Sequence, residues 1–365
     1  MKYKFSEILA DETKLGKKIS QGDYLVDGQF PIIDQGQKEI AGYSNETDGL
    51  FRDVPAIIFG DHTRVLKFVN KPFFLGADGV KLLKQKRNED NAKYLFYALK
   101  NVKIPNTGYN RHFKWLKEAH IEIPKRKQQD AVVKILDSVT ALISLRQRQA
   151  EKLDELVKAR FVEMFGDPVR NTKHWEKSSL LALGSCKNGM SFHANESGIK
   201  LRCLGVGDFK NLSYIDDVEQ LPFVSLAEKP SANCFLHDGD IVFVRSNGNK
   251  ALVGRCLLVY PRDTPTIYSG FCIRYRLVTE KVDPIYALHV LKADGIRQKM
   301  SGRGANIQNL NQKILAAIEM PIPPLPLQNA FATFVYEVDR EKERIQRSAA
   351  LLETLKRSLM QQYFG

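Results

Sequence analysis

Residues 129–166 read QDAVVKILDSVTALISLRQRQAEKLDELVKARFVEMFG, and residues 328–365 read QNAFATFVYEVDREKERIQRSAALLETLKRSLMQQYFG. At a constant offset of 199 the two stretches need no gap. They share ten identities in 38 positions, among them Gln129/Gln328, Val139/Val338, Gln147/Gln346, Arg148/Arg347, Leu153/Leu352, Leu156/Leu355 and Phe165/Phe364. Average usage would give roughly two or three. The lead-ins also match, His120-Ile121-Glu122-Ile123-Pro124 against Ala317-Ile318-Glu319-Met320-Pro321. A period near 200 residues is too long for a solenoid. It describes a duplicated module: a globule, a proline-bounded linker, then a long helix.

Each stretch carries its apolar residues on a narrow stripe. In the first these are Val132, Leu136, Val139, Ile143, Ala150, Leu153, Val157 and Met164; in the second, Val335, Val338, Ile345, Ala349, Leu352 and Leu359. Steps of mostly three and four make a seam rather than a broad core-facing surface. Gly166-Asp167-Pro168 supplies a glycine cap and a proline stop. About 38 residues at 1.5 Å each give a rod of roughly 57 Å, which needs a partner helix. Arg146 aligns with Ile345 and Lys342 with Ile143, so each polar interruption corresponds to an apolar residue in the other copy. That mismatch favours pairing of the two copies over self-pairing of either. The seam by itself fits a parallel or an antiparallel pair.

The remaining sequence divides into residues 1–124 and 167–324. In the first, Phe30–Ile33, Val54–Phe59 and Lys71–Leu75 have strand character and end in polar loops; residues 90–101 have helical spacing. In the second, Ile241–Val244 is a strong strand. Asn247-Gly248 signals a two-residue hairpin turn, and Val253–Val259 is the return strand. Asp283–Ala293 is helical, and a glycine-rich loop, 301–306, follows it. The frame repeats while the loops differ.

The net charge is +13, spread as +4 over residues 1–124, +3 over 125–166, +5 over 167–324 and +1 over 325–365. A basic excess on the globules suits a polyanionic partner. The N-terminal stretch MKYKFSEILADETK is too polar for a signal peptide, and no apolar run approaches the ~18 residues that span a bilayer. Five cysteines without a CxxC pair point to a reducing compartment, with neither zinc site nor disulfide framework. There is no phosphate loop, HExxH or GxSxG motif. His237, Asp238 and Asp240 are the nearest metal-like group, and their place before a strand describes a turn.

What the loops hold instead are side chains suited to DNA. Arginine and lysine address guanine O6/N7, and asparagine and glutamine address adenine N6/N7. The candidates are Gln35, Gln37, His62, Arg64, Arg111, His112 and Lys114 in the first globule. In the second they are Arg245, Asn247, Asn249, Lys250, Arg303, Asn306 and Asn309.

With these residues in view, the chain resembles the DNA specificity subunit of type I restriction-modification systems over essentially its full length. The resemblance rests on the repeated linker-helix, with Ile318–Gln328 as its proline-rich lead-in. It rests also on Asp238–Gly248, Asn309-Leu310-Asn311, Asp34–Gln37 and Gly60–Arg64. The first linker departs from this pattern, having Pro124-Lys125-Arg126-Lys127 in place of a PPLP run. The resemblance implies an α/β protein in which two α/β target-recognition domains (1–124 and 167–324) are separated by a long antiparallel two-helix coiled coil. The coiled coil comprises the linker and helix 125–166 and the helix 325–365, with an internal pseudo-two-fold repeat. Its seam is Leu136, Val139, Ile143, Leu153 and Val157 against Val338, Ile345, Leu352 and Leu359.

The resemblance further implies a non-catalytic subunit in the cytoplasm that reads a bipartite double-stranded DNA target in the major groove. It implies two methyltransferase (modification) subunits and two restriction (translocase/endonuclease) subunits as partners. These would hold S-adenosylmethionine, ATP and Mg²⁺, while this chain binds no cofactor. From the residues alone, two other readings stay open: a stand-alone DNA-modifying or DNA-cleaving enzyme, and a coiled-coil adaptor that binds protein.

If the helix pair sets the spacing of the two half-sites, deleting one helical turn (about four residues) from both 129–166 and 328–365 should shorten the unread gap. Sequencing of the methylated sites measures this, and an unchanged gap would exclude a ruler.

Overall fold

The computed structural model describes residues 1–365 apart from 77–78, 109, 193–196, 210–212 and 302–308. The chain forms two compact units, residues 1–149 with 345–365 and residues 150–344. Each long helix is divided between the two units. The helices run Arg126–Phe165 and Leu325–Phe364, 40 residues each.

In the first unit a four-stranded antiparallel sheet has the order Leu9–Asp11, Val80–Gln85, Ala56–Gly60, Leu66–Val69. A second sheet places Phe30–Ile33 between antiparallel Gly42–Ser44 and parallel Phe74–Leu75. A ribbon of Lys2–Lys4 with His120–Glu122 brings the entering and departing chain side by side. Helix Ala92–Asn101 packs on the larger sheet through Leu95, Phe96 and Leu99, the residues whose spacing marks it as helical.

The second unit repeats this plan. Its larger sheet runs Gly184–Asn188, Cys272–Leu277, Asp240–Val244, Cys256–Val259, and adds Tyr214–Ile215 as a parallel edge. Its smaller sheet places Ile199–Leu204 between antiparallel Phe223–Leu226 and parallel Thr266–Tyr268. Its ribbon pairs Lys177–Ser179 with Glu319–Pro321, and its helix is Pro284–Lys292. Two globules without clear sequence identity over their middles therefore share one topology.

The strands Ala56–Gly60 and Asp240–Val244 are buried along their whole length, which is why they read as continuous apolar runs. Asp240 is the exception to that apolarity, at 1% exposure. Its carboxylate accepts bonds of 2.7 Å each from Arg276 Nε, Arg276 Nη2 and the His237 amide. A buried charge persists where it is paired and fully hydrogen-bonded.

In the first unit Val132, Val133 and Leu136 join a cluster with Leu359, Met360 and Phe364. In the second, Phe161 and Phe165 pack edge-on against Phe331, and Lys342 pairs with Asp154. Residue numbers rise along one helix as they fall along the other, so the pair is antiparallel. Leu136, Val139, Ile143, Val157, Val338 and Ile345 are buried; Leu153, Leu352 and Leu359 are half-buried. The seam's polar interruption at Lys342 is thus matched by a carboxylate across the pair. Gly166, at φ +77°, ends the first helix in the left-handed conformation, and a Cβ there would lie 2.3 Å from Thr172 Oγ1.

The duplication extends to single hydrogen bonds. Gln129 and Gln328, in the first turns of the long helices, are 1% and 0% exposed. Gln129 Nε2 donates to Pro124 O (2.9 Å) and Asp90 Oδ1 (3.2 Å), and its Oε1 accepts from Asn91 N (2.7 Å). Gln328 Nε2 donates to Pro323 O (2.8 Å) and Lys281 O (3.0 Å), and its Oε1 accepts from Asp283 N (2.9 Å). Asn91 and Asp283 are themselves the N-caps of the globule helices. Tyr94 and Tyr286 then donate to the ribbon carbonyls of Glu122 and Pro321. The first linker, without a PPLP run, is pinned as the second is.

One local expectation fails. Asn247-Gly248 does not form a two-residue hairpin turn, although the flanking strands do pair antiparallel. Gly248 is not in the positive-φ region that such a turn needs, whereas Gly254 is, at φ +77°. Asn249 instead caps a short 3₁₀ turn, Lys250–Leu252, and lengthens the connection.

Replacing Gln328 by Leu keeps the bulk but orphans the Asp283 amide and two carbonyls. Loss of about 1–3 kcal/mol of stability is expected, measured by denaturant unfolding; an unchanged midpoint would show that the knot is dispensable.

Candidate DNA interface

In the first unit three loops are laced together. Gln35 follows its strand, and its Oε1 accepts from the His62 amide (3.2 Å), while Thr63 Oγ1 donates to Gln35 O (2.6 Å). Arg64 closes the turn at φ +62°, its amide donating to Gly60 O (2.7 Å). Gly79, at φ +86°, lies beneath the Gln35 amide and the His62 ring; a Cβ would come within 2.7 Å of each. The Asp61 amide donates to Gly79 O, Asp61 O accepts from the His112 amide, and Asp61 Oδ1 accepts from the Phe113 amide. Residues distant in sequence, Gln35, His62, Arg64 and the 111–113 segment, thereby meet.

Their roles are not equal. Arg111, Lys114 and Gln37 are exposed, and Lys114 lies over the Trp115 ring at 4.2 Å. His112 is 0% exposed, with Nδ1 3.0 Å from Asp61 O and its ring against Trp115. The expectation that it touches DNA is therefore corrected: its side chain is enclosed between the Asp61 carbonyl and the Trp115 ring.

In the second unit Arg245 extends from the end of the central strand. Its Nη1 donates to Gly270 O (3.1 Å), its amide donates to Phe271 O (2.8 Å), and its carbonyl accepts from the Leu310 amide (2.8 Å). Ser246 pairs with Asn309 in an antiparallel bridge. Arg245, Ser246 and Asn309 line one cleft of about 350 Å³ together with Ser269, Gly270 and Phe271. Sequence reasoning missed Phe271, because a lone Phe after a glycine reads as the start of a core strand.

Asn247 and Asn249 are committed locally. Asn247 Oδ1 accepts from the Asn249 amide (2.8 Å), and Asn249 Oδ1 accepts from the Ala251 amide (3.0 Å). Bidentate reading of adenine needs that carbonyl as acceptor, so in this geometry both residues primarily shape the loop. Lys250 is exposed at the start of the 3₁₀ turn. Arg303 and Asn306 lie outside the described residues. Among the described residues, no group of three or more His, Cys, Asp or Glu side chains could hold a metal ion. Asp238 binds the Arg262 amide and guanidinium, and Asp240 is spent on Arg276.

Two units of one topology, each gathering basic and amide side chains at its strand ends, describe a duplicated DNA-reading protein. The family described as type I restriction modification DNA specificity domain matches residues 3–155 and 173–353, and the chain belongs to it. It is accordingly the non-catalytic, DNA-recognising specificity subunit of such a system. It is 25% identical over 316 residues to the type I restriction enzyme MjaVIII specificity subunit of Methanocaldococcus jannaschii, a match spanning 77% of this chain and 72% of the relative. The putative MjaX specificity subunit of the same organism is 24% identical, over 93% of this chain and 85% of that one. The EcoR124I/EcoR124II specificity subunit of Escherichia coli is 29% identical over 133 residues, a third of each chain. The fold is similar to the crystal structure of the type I system S subunit from M. genitalium. That likeness has a TM-score of 0.57 at 16% identity and covers 99% of this chain and 94% of the other. Specificity subunits of this family bind DNA and assemble with other subunits. Among the described residues, no helix is long and apolar enough to cross a membrane.

Arg245→Ala should cost about 1–3 kcal/mol of discrimination at one position and leave the other half-site unchanged, as read by binding to a panel of single-base variants. Equal weakening on every sequence would make Arg245 a phosphate contact.

Proposed function

We propose that this chain reads a bipartite double-stranded DNA target in the major groove, one half-site with each unit. The observation that carries this is the shared topology of the two units with different side chains at the same loop positions. The same frame offers two DNA-facing edges, and unlike loops make the target asymmetric. Arg64, Arg111 and Lys114 serve one half-site; Arg245, Lys250 and Asn309 serve the other.

The helix pair is the docking platform in this reading. Leu156 and Leu355, an identical pair of the repeat, are both exposed, which suits two copies of one partner. Those partners are two modification subunits, which use S-adenosylmethionine to methylate adenine, and two restriction subunits, which use ATP and Mg²⁺. The chain itself holds no cofactor and works in the cytoplasm, where its five free thiols stay reduced.

Two measurements test this. Filter binding of the purified chain to DNA should show a steep loss of affinity with salt, from release of counterions; a flat dependence would point to a protein-binding adaptor. Methylome sequencing of cells with and without the chain should show one split, asymmetric motif appearing only in its presence.

A further inference from the structure

We propose that Phe271 is a specificity-determining residue that reads the C5-methyl group of a thymine beside the base addressed by Arg245. This rests on the DNA-reading function above and adds to it a residue and the class of base it recognises.

The ring of Phe271 is 62% exposed, yet both its carbonyl and its amide are hydrogen-bonded. Its carbonyl accepts from the amides of Arg245 (2.8 Å) and Ser246 (3.2 Å), and its amide donates to Ser269 Oγ (3.3 Å). On either side, the Gly270 amide donates to Met190 O (2.6 Å) and the Cys272 amide to Ser269 O (2.8 Å). Gly270 is pressed against its neighbours, with a Cβ there 2.8 Å from Ser191 Oγ. A large apolar ring is thus held in solvent by a turn with little freedom to fold it inward.

Its position gives that exposure a use. The same hydrogen bonds that fix Phe271 fix Arg245, whose guanidinium is anchored on Gly270 O at 3.1 Å. Ring and guanidinium line one cleft with Ser246 and Asn309. In the major groove the only apolar feature a base pair presents is the thymine methyl, and an aromatic ring is among the side chains that contact it. Because the ring forms a wall of the cleft, a side-on contact suits it better than insertion between base steps.

The test uses the full-length chain. Selection from a random DNA pool first gives the preferred target. Each thymine of that target is then replaced singly by deoxyuridine, which removes only the methyl, and binding is measured by fluorescence anisotropy. For the wild-type chain one thymine should stand out, with a loss of about three- to fivefold on replacement. Phe271→Ala should bind the thymine and deoxyuridine forms of that site equally, and Phe271→Leu should retain part of the difference. The ring is exposed, so neither variant should disturb folding. If Phe271→Ala weakens both forms alike, or if no thymine in the target is methyl-sensitive, the proposal is overturned while DNA reading stands. If the wild-type chain selects no sequence at all, the DNA-reading function itself fails.

Discussion

A single buried glutamine in each copy ties the molecule together. Gln129 and Gln328 reach three kinds of structure at once: the proline-bounded linker, the start of a long helix, and the N-terminus of the helix on the globule. A primary amide is suited to this because it offers an acceptor and two donors in one plane. At full burial every one of those bonds must be made, since an orphaned group in the interior costs more than a satisfied one contributes. The angle at which each long helix leaves its globule is consequently fixed by hydrogen bonds as well as by apolar packing. Tyr94 and Tyr286 add a second tie to the ribbon.

Much of this was legible in the residues. The long helices, their seam and their glycine stop follow from periodicity and capping, and the repeat betrays the duplicated frame. The two central strands were legible as well, because Ala56–Gly60 and Asp240–Val244 are continuous apolar runs bounded by polar loops, whereas Phe74–Leu75 and Cys256–Val259 begin three residues later than their stretches of strand character. The antiparallel sense was not, since a seam of matched residues is nearly symmetric under reversal. The ion pair between Lys342 and Asp154, and the packing of Phe331 on Phe161 and Phe165, resolve it in space.

The interface was legible only as a set of loops. Sequence gives the chemistry of a side chain but not how much of it is already in use. His112 and Arg111 are adjacent, yet one is enclosed against Trp115 and the other faces water. Asn247 and Asn249 have the right atoms for adenine, but their carbonyls accept backbone amides two residues onward. Phe271 was hidden for the opposite reason: its type predicts burial, whereas its ring is exposed on a hydrogen-bonded turn. Some of this allocation is local, as in the asparagine turns, and some joins distant segments, as with Arg245 and Gly270, 25 residues apart, or His112 and Asp61, 51 apart.

The small ribbons have a consequence of their own. In each globule the chain enters and leaves on two adjacent strands, Lys2–Lys4 beside His120–Glu122 and Lys177–Ser179 beside Glu319–Pro321. The second globule is thereby an insert between the two long helices, held at two neighbouring ends, and the first joins its long helix beside its own first strand. A longer or shorter insert, or one with other loops and an added edge strand like Tyr214–Ile215, leaves the separation of those ends unchanged. The geometry of attachment is thus set by the ribbon and is independent of the loops that differ between the globules.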